Sequence, residues 1–199
     1  MVLGDSLSAA YGMDQKQGWV TLLEERLNRQ CIDCRVINAS ISGETTAGGR
    51  TRIAPLLKRH HPGILILELG GNDGLRGLSL AEMYDNLDHI ITQSLRRDVK
   101  VLLLGMRLPP NYGPGYTRNF QNVYKRLADK YRLDWVPFLL AGLEDRRDLF
   151  QADGIHPVAA AQIIMLDNVW PALQDLLPGR RTGATSAAGR LQSAIHHKP

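Results

Sequence analysis

Ile64-Leu65-Ile66-Leu67-Glu68-Leu69 is a short aliphatic run that ends abruptly in Gly70-Gly71-Asn72-Asp73. A run of this length, apolar on both alternate sets of positions and closed by turn residues, reads as a strand covered on both faces. The pattern repeats outward from it: Val36-Ile37 and Val2-Leu3 lie on the N-terminal side, Val101-Leu102-Leu103-Leu104 and Trp135-Val136 on the C-terminal side. Between these runs the apolar spacing becomes helical. Trp19, Leu22, Leu23 and Leu27 share a face, as do Leu80, Met83, Leu87, Ile90, Ile91 and Leu95, and then Phe120, Val123, Tyr124, Leu127 and Tyr131. Ser79 and Glu82 form a predicted capping box at the start of the second of these helices. Pro157, directly after His156, is expected to open a final helix carrying Ile163, Val169, Trp170 and Leu173. Short strands alternating with helices predict an α/β domain: a five-stranded parallel sheet covered by helices on both faces, spanning residues 1–177.

The rest of the composition mainly excludes. The chain has 199 residues, room for one domain with one sizeable core. Its aliphatic runs are far too short to span a bilayer, so no stable membrane anchor is expected, and nothing before Gly4 resembles a secretion signal. The net charge of +4 suggests an acidic partner, but four basic residues (Arg180, Arg181, Arg190, Lys198) lie in the acid-free stretch after Leu177. Without them the domain is formally neutral, which argues against nucleic acid as a partner. Residues 178–199, rich in Gly, Ala, Ser, Thr and Arg, read as a flexible basic tail. Cys31 and Cys34 have redox-motif spacing but lie between a helix end and a strand; two incidental thiols or one local disulfide is the expectation. Zinc would require further soft ligands nearby, and no metal or organic cofactor is implied. Gly48-Gly49-Arg50-Thr51 lacks the lysine that a phosphate-binding P-loop requires.

In a parallel sheet of this kind, ligands bind beyond the carboxyl ends of the strands, near the reversal of strand order. The loops there are Gly4 to Met13, Asn38 to Gly49 and Gly70 to Leu78, all rich in Gly, Ser, Asn and Asp. A serine hydroxyl attacks a carbonyl only when a base removes its proton, a third group orients that base, and fixed donors hold the oxyanion. Ser6 lies in Gly4-Asp5-Ser6-Leu7-Ser8, which differs from the G-x-S-x-G elbow in having serine at position 8. Alone, Ser6 could as well be a loop cap. Among the six histidines only His156 falls in a catalytic-looking loop, Asp153-Gly154-Ile155-His156-Pro157. Asp153, three residues earlier, can reach Nδ1 and leave Nε2 for a serine; the plainer reading is a histidine at a helix start beside a turn aspartate. Gly43 and Asn72 offer a backbone and a side-chain N–H, though both are ordinary turn residues.

Taken together, the blocks Gly4-Asp5-Ser6-Leu7-Ser8, Ser42-Gly43-Glu44-Thr45-Thr46, Gly70 to Gly77 and Asp153 to Pro157 resemble, in order, those of the SGNH (GDSL) hydrolases. The closest likeness is to the bacterial thioesterase I, lysophospholipase L1 and arylesterase group, which Arg107-Leu108-Pro109 with Asn111-Tyr112-Gly113 also resembles. The likeness covers nearly all of residues 1–177. It implies a three-layer α/β/α, flavodoxin-like fold and location in the periplasm or outside the cell. It also implies Ser6 as nucleophile, His156 as general base, Asp153 as its orienting acid, and an oxyanion hole from the N–H groups of Ser6 and Gly43 and the Asn72 side chain. Family members usually carry a longer first strand than Met1-Val2-Leu3. The expected substrates are short-chain or aryl carboxylic esters cleaved through an acyl-enzyme, with thioesters and lysophospholipids the alternative. Apolar residues near Leu75, Leu108, Pro109 and Tyr112 could line an acyl site. A non-catalytic binding protein on the same fold would be marked by a missing triad member or oxyanion donor, and neither is missing. Oligomeric state is not legible.

Overall fold

The computed structural model describes residues 1–30 and 34–177; the expectations for Cys31 and for the tail at 178–199 fall outside them. In chain order the elements are β1 (Val2–Gly4), α1 (Trp19–Asn28), α2 (Thr46–His60), β2 (Ile64–Glu68), α3 (Gly71–Leu75), α4 (Leu80–Leu95), β3 (Lys100–Leu104), α5 (Pro114–Tyr131), β4 (Asp134–Val136) and α6 (Gln162–Leu176). The strands are all parallel, in the order β1-β2-β3-β4. Leu3 pairs with Leu67, Leu67 with Leu103 and Leu103 with Trp135, so one row of apolar side chains crosses the sheet. Leu3, Leu65, Leu67, Leu102 and Leu103 are fully buried, as continuous apolar strands between two helical layers must be.

Four strands form where five were expected. The Val36-Ile37 segment does run beside β1: Val2 N donates to Ile37 O and Ala39 N donates to Val2 O, both at 2.8 Å. Only one parallel bridge results, Val2 to Asn38. Further along, Ile41 N donates to Gly4 O at 3.0 Å, without closing a second bridge. The position is nonetheless the one a fifth strand would occupy. The chain thus runs from β1 outward to residues 36–39 and back across to β2, and strand order reverses at β1.

The helices form two layers. Helix α1 packs with α6, while α4 packs with both α2 and α5. Met83, Leu87, Ile90 and Ile91 of α4 are completely buried, which accounts for the helical spacing read in the sequence. Only half of the predicted capping box forms there, with Ser79 Oγ accepting from Glu82 N at 3.3 Å. The last helix also begins later than Pro157. That residue pairs instead with Phe150 in an antiparallel bridge, and α6 starts at Gln162 after a 3-10 turn. Gln151 N donates to His156 O and Val158 N to Leu149 O, each at 2.8 Å. His156 therefore sits on a short, cross-braced hairpin rather than a helix end.

Candidate active site

The site assembles at the carboxyl ends of β1 and β2, at the reversal of strand order. Beyond Gly4 the chain turns immediately: Asp5 Oδ1 accepts from Leu7 N at 3.0 Å, Asp5 O accepts from Ala9 N at 3.0 Å and Ser6 O from Tyr11 N at 3.2 Å. These bonds fix Ser6, half-buried, with its Oγ 2.8 Å from His156 Nε2. On the other side of the imidazole, Nδ1 lies 2.7 Å from Asp153 Oδ2. The other oxygen, Asp153 Oδ1, accepts the backbone N–H groups of Ile155 (2.9 Å) and His156 (3.0 Å). Those bonds, the His156 N–H foremost and then the imidazole and the Ile155 N–H, hold the Asp153 carboxyl at about 2, below its usual range. An acid that stays ionised while bonded to Nδ1 fixes the tautomer with its lone pair on Nε2, facing the hydroxyl.

The loop after residues 36–39 brings Gly43 to the same place. Its φ of +80° lies in the left-handed region, which glycine adopts without strain. Among the described residues, neither the Ser6 nor the Gly43 N–H has a protein acceptor. The third expected donor differs: Asn72 Nδ2, on the one-turn helix α3, donates to Asp5 Oδ2 (3.1 Å) and to Glu44 O (3.0 Å). Both amide hydrogens are thus engaged in the free protein, and an arriving oxyanion has to share one of them.

The residues expected to line an acyl site are not equivalent. Leu75 and Tyr112 are half-buried and joined, the phenol donating to Leu75 O at 2.9 Å. Pro109 is exposed, whereas Leu108 belongs to the core and packs over Gly74.

Three neighbours of the site went unread in the sequence. The Tyr11 ring lies 4.5 Å from the His156 ring, and Arg76 donates to Gly43 O at 3.0 Å, tying the Gly43 loop to α3. Nothing in local sequence signals either contact, because the partners are far apart in the chain. Glu68 did leave a signal, a carboxyl group ending an otherwise aliphatic strand, and it packs beneath the nucleophile turn.

Residues 2–162 match the GDSL-like Lipase/Acylhydrolase family. The chain belongs to that family and is an ester hydrolase of the SGNH type. Among its relatives, Esterase TesA of Pseudomonas aeruginosa is 50% identical over 177 residues, 89% of this chain and 88% of that protein. Thioesterase 1/protease 1/lysophospholipase L1 of Escherichia coli strain K12 is 37% identical over 177 residues, 89% of this chain and 84% of that one. A crystal structure of TesA superposes with a TM-score of 0.86 at 50% identity, covering 88% of this chain and 98% of the other.

Proposed function

We propose that Ser6 attacks the carbonyl carbon of a carboxylic ester and that His156, held by Asp153, moves the protons. The observation that carries this reading is the unbroken relay Asp153–His156–Ser6, with heavy-atom separations of 2.7 and 2.8 Å. As the Ser6 Oγ–carbon bond forms, the hydroxyl proton passes to Nε2 and the carbonyl oxygen takes negative charge. The N–H groups of Ser6 and Gly43, joined by the Asn72 amide, face that charge. Collapse expels the alcohol with the proton returned from Nε2, leaving an acyl-serine. Water then repeats the sequence and releases the acid.

Short-chain and aryl esters are the proposed substrates, acting at a site open to solvent and edged by exposed apolar groups. Tyr11, Ile41 and Ile155, 49, 48 and 46% exposed, all belong to loops that carry the site. A second reading, thioesters and lysophospholipids, is favoured by the name of the E. coli relative. Rates over p-nitrophenyl esters of increasing chain length, beside an acyl-CoA series, decide between them. A kcat/KM that peaks at short chains and exceeds every thioester supports the first, and a long-chain thioester optimum the second. Among the described residues no helix is long and apolar enough to cross a membrane. A place in the periplasm or outside the cell is proposed on the family resemblance, with cell fractionation as its test.

Asn72→Ala is expected to lower kcat by about two to three orders of magnitude with little change in KM, the effect of losing one oxyanion donor. If Asn72 only braces its turn, the melting temperature falls and the folded fraction works normally. Measuring both quantities on the same preparation separates these outcomes.

A further inference from the structure

Beneath the nucleophile turn, two carboxyl groups are buried against each other. Asp5 is 3% exposed and Glu68 is fully buried. Gly4 permits the approach: a Cβ there would lie 2.6 Å from Glu68 Oε2. Three of the pair's four oxygens have donors. Glu68 Oε2 accepts from Asp5 N (3.2 Å) and Ser8 Oγ (2.8 Å), Asp5 Oδ1 from Leu7 N, and Asp5 Oδ2 from Asn72 Nδ2. Glu68 Oε1 has none, although it is buried. A buried carboxylate oxygen without a donor is costly, and two adjoining buried carboxylates repel strongly. Both difficulties ease if Glu68 is neutral and one proton is shared across the Asp5–Glu68 side-chain contact.

We propose that Asp5 and Glu68 form an acid pair sharing one proton, in which neutral Glu68 holds the charged Asp5 and Asp5 in turn orients the Asn72 amide at the oxyanion hole. Both are positioning residues; neither touches the substrate. The inference rests on the proposed role of Asn72 and extends the oxyanion machinery one layer inward. Burial foremost, then the charge of Asp5, pushes the Glu68 carboxyl well above its usual range, while burial raises Asp5 to about 6. The other titratable neighbours are His156, whose charge favours an ionised Asp5, and Tyr124 of α5, a buried phenol that donates to Leu69 O. The charge of Asp73 in α3 also acts on Tyr124.

The arrangement makes an unusual demand of substitutions. Glutamine matches the shape of a neutral acid: its oxygen can accept from Asp5 N and Ser8 Oγ, and its NH2 can donate to Asp5. Glu68→Leu leaves Asp5 without that donor and is expected to lower kcat roughly a hundredfold, comparable to loss of an oxyanion donor, with KM nearly unchanged. Glu68→Gln is expected to restore most of the lost kcat.

Difference infrared spectroscopy reads the proton directly. At pH 8 the full chain should show the carbonyl stretch of a neutral carboxylic acid, shifted by 13C-glutamate labelling and absent from Glu68→Gln. Absence of the band in the parent protein overturns the proposal. So does a Glu68→Gln protein that fails to fold or is as slow as Glu68→Leu. A Glu68→Leu protein whose active fraction, counted with a phosphonate, turns over at the parent rate also overturns it. If Glu68→Leu does not fold, the infrared band and the Glu68→Gln rate still decide. The band is independent of whether Ser6 is the nucleophile, which Ser6→Ala tests separately.

Discussion

Ser6→Ala is expected to reduce ester hydrolysis by about 10⁴-fold or more, the scale for loss of a nucleophile that acts as one unit with its base. The fold should survive. Among the described residues, the only side-chain hydrogen bond of Ser6 is to His156, and its hydroxyl lies at a half-buried loop surface. A change in stability within about 0.5 kcal/mol is the norm for such a site. The turn itself is held by Asp5 and by backbone bonds from Ala9 and Tyr11, all of which the substitution leaves in place. Turnover of p-nitrophenyl acetate and a thermal melt on the same sample make the check. Activity within tenfold of the parent, or a phosphonate adduct mapped to another serine, would remove Ser6 from the mechanism.

The contrast between what sequence could and could not say about this site is physical. Ser6, Gly43 and Asn72 are ambiguous one at a time and become candidates through the ordered likeness of their blocks to those of the SGNH hydrolases, whereas Asp153 and His156 also share one short loop. Asp153 bonds to an N–H and an imidazole three residues away, a contact that the spacing permits. The sheet was legible because β2 and β3 are buried on both faces and can tolerate few polar residues. The fifth strand is read from the apolar pair Val36-Ile37, whereas pairing with β1 closes at one residue, Val2, and apolar character does not reveal how far a ladder extends. The start of α6 was misplaced because Pro157 suits a helix start and a hairpin equally, and the bridge to Phe150 decided between them. The burial of Leu108 was not legible because an apolar side chain in a loop does not reveal whether it faces the core. Arg76 and Tyr11 act across the chain and leave no local trace.

The second large effect concerns which acid serves His156. Two loop aspartates are available, and the structure separates their tasks. Asp73 is 3% exposed and binds α2: its Oδ2 accepts from Thr46 N at 2.9 Å and its Oδ1 from Thr46 Oγ1 at 2.5 Å. It ties the start of α2 to the turn carrying Asn72, and Asn86 extends the link by donating to Thr46 Oγ1. Asp153 alone meets the imidazole. In Asp153→Asn the amide can turn its NH2 toward Nδ1, which then must accept; the ring proton moves to Nε2 and faces Ser6 with no lone pair. A drop in kcat of about 10⁴-fold at neutral pH is expected, the size seen when an orienting acid is replaced by its amide. Asp73→Asn should instead lower the melting temperature and leave the turnover of the folded fraction within about tenfold, since it alters a support rather than a proton path. The pH profile provides a further check. Protonation of Asp153 should not shape the parent's profile within the assay range. Held at about 2, it is ionised throughout that range. Because its carboxyl is depressed in the folded state, its contribution to stability is complete above the ordinary carboxylate range and is lost as pH falls toward 2. An Asp153→Asn protein with nearly normal turnover, beside a nearly inactive Asp73→Asn, would transfer the orienting role to Asp73 while leaving Ser6 and His156 in place.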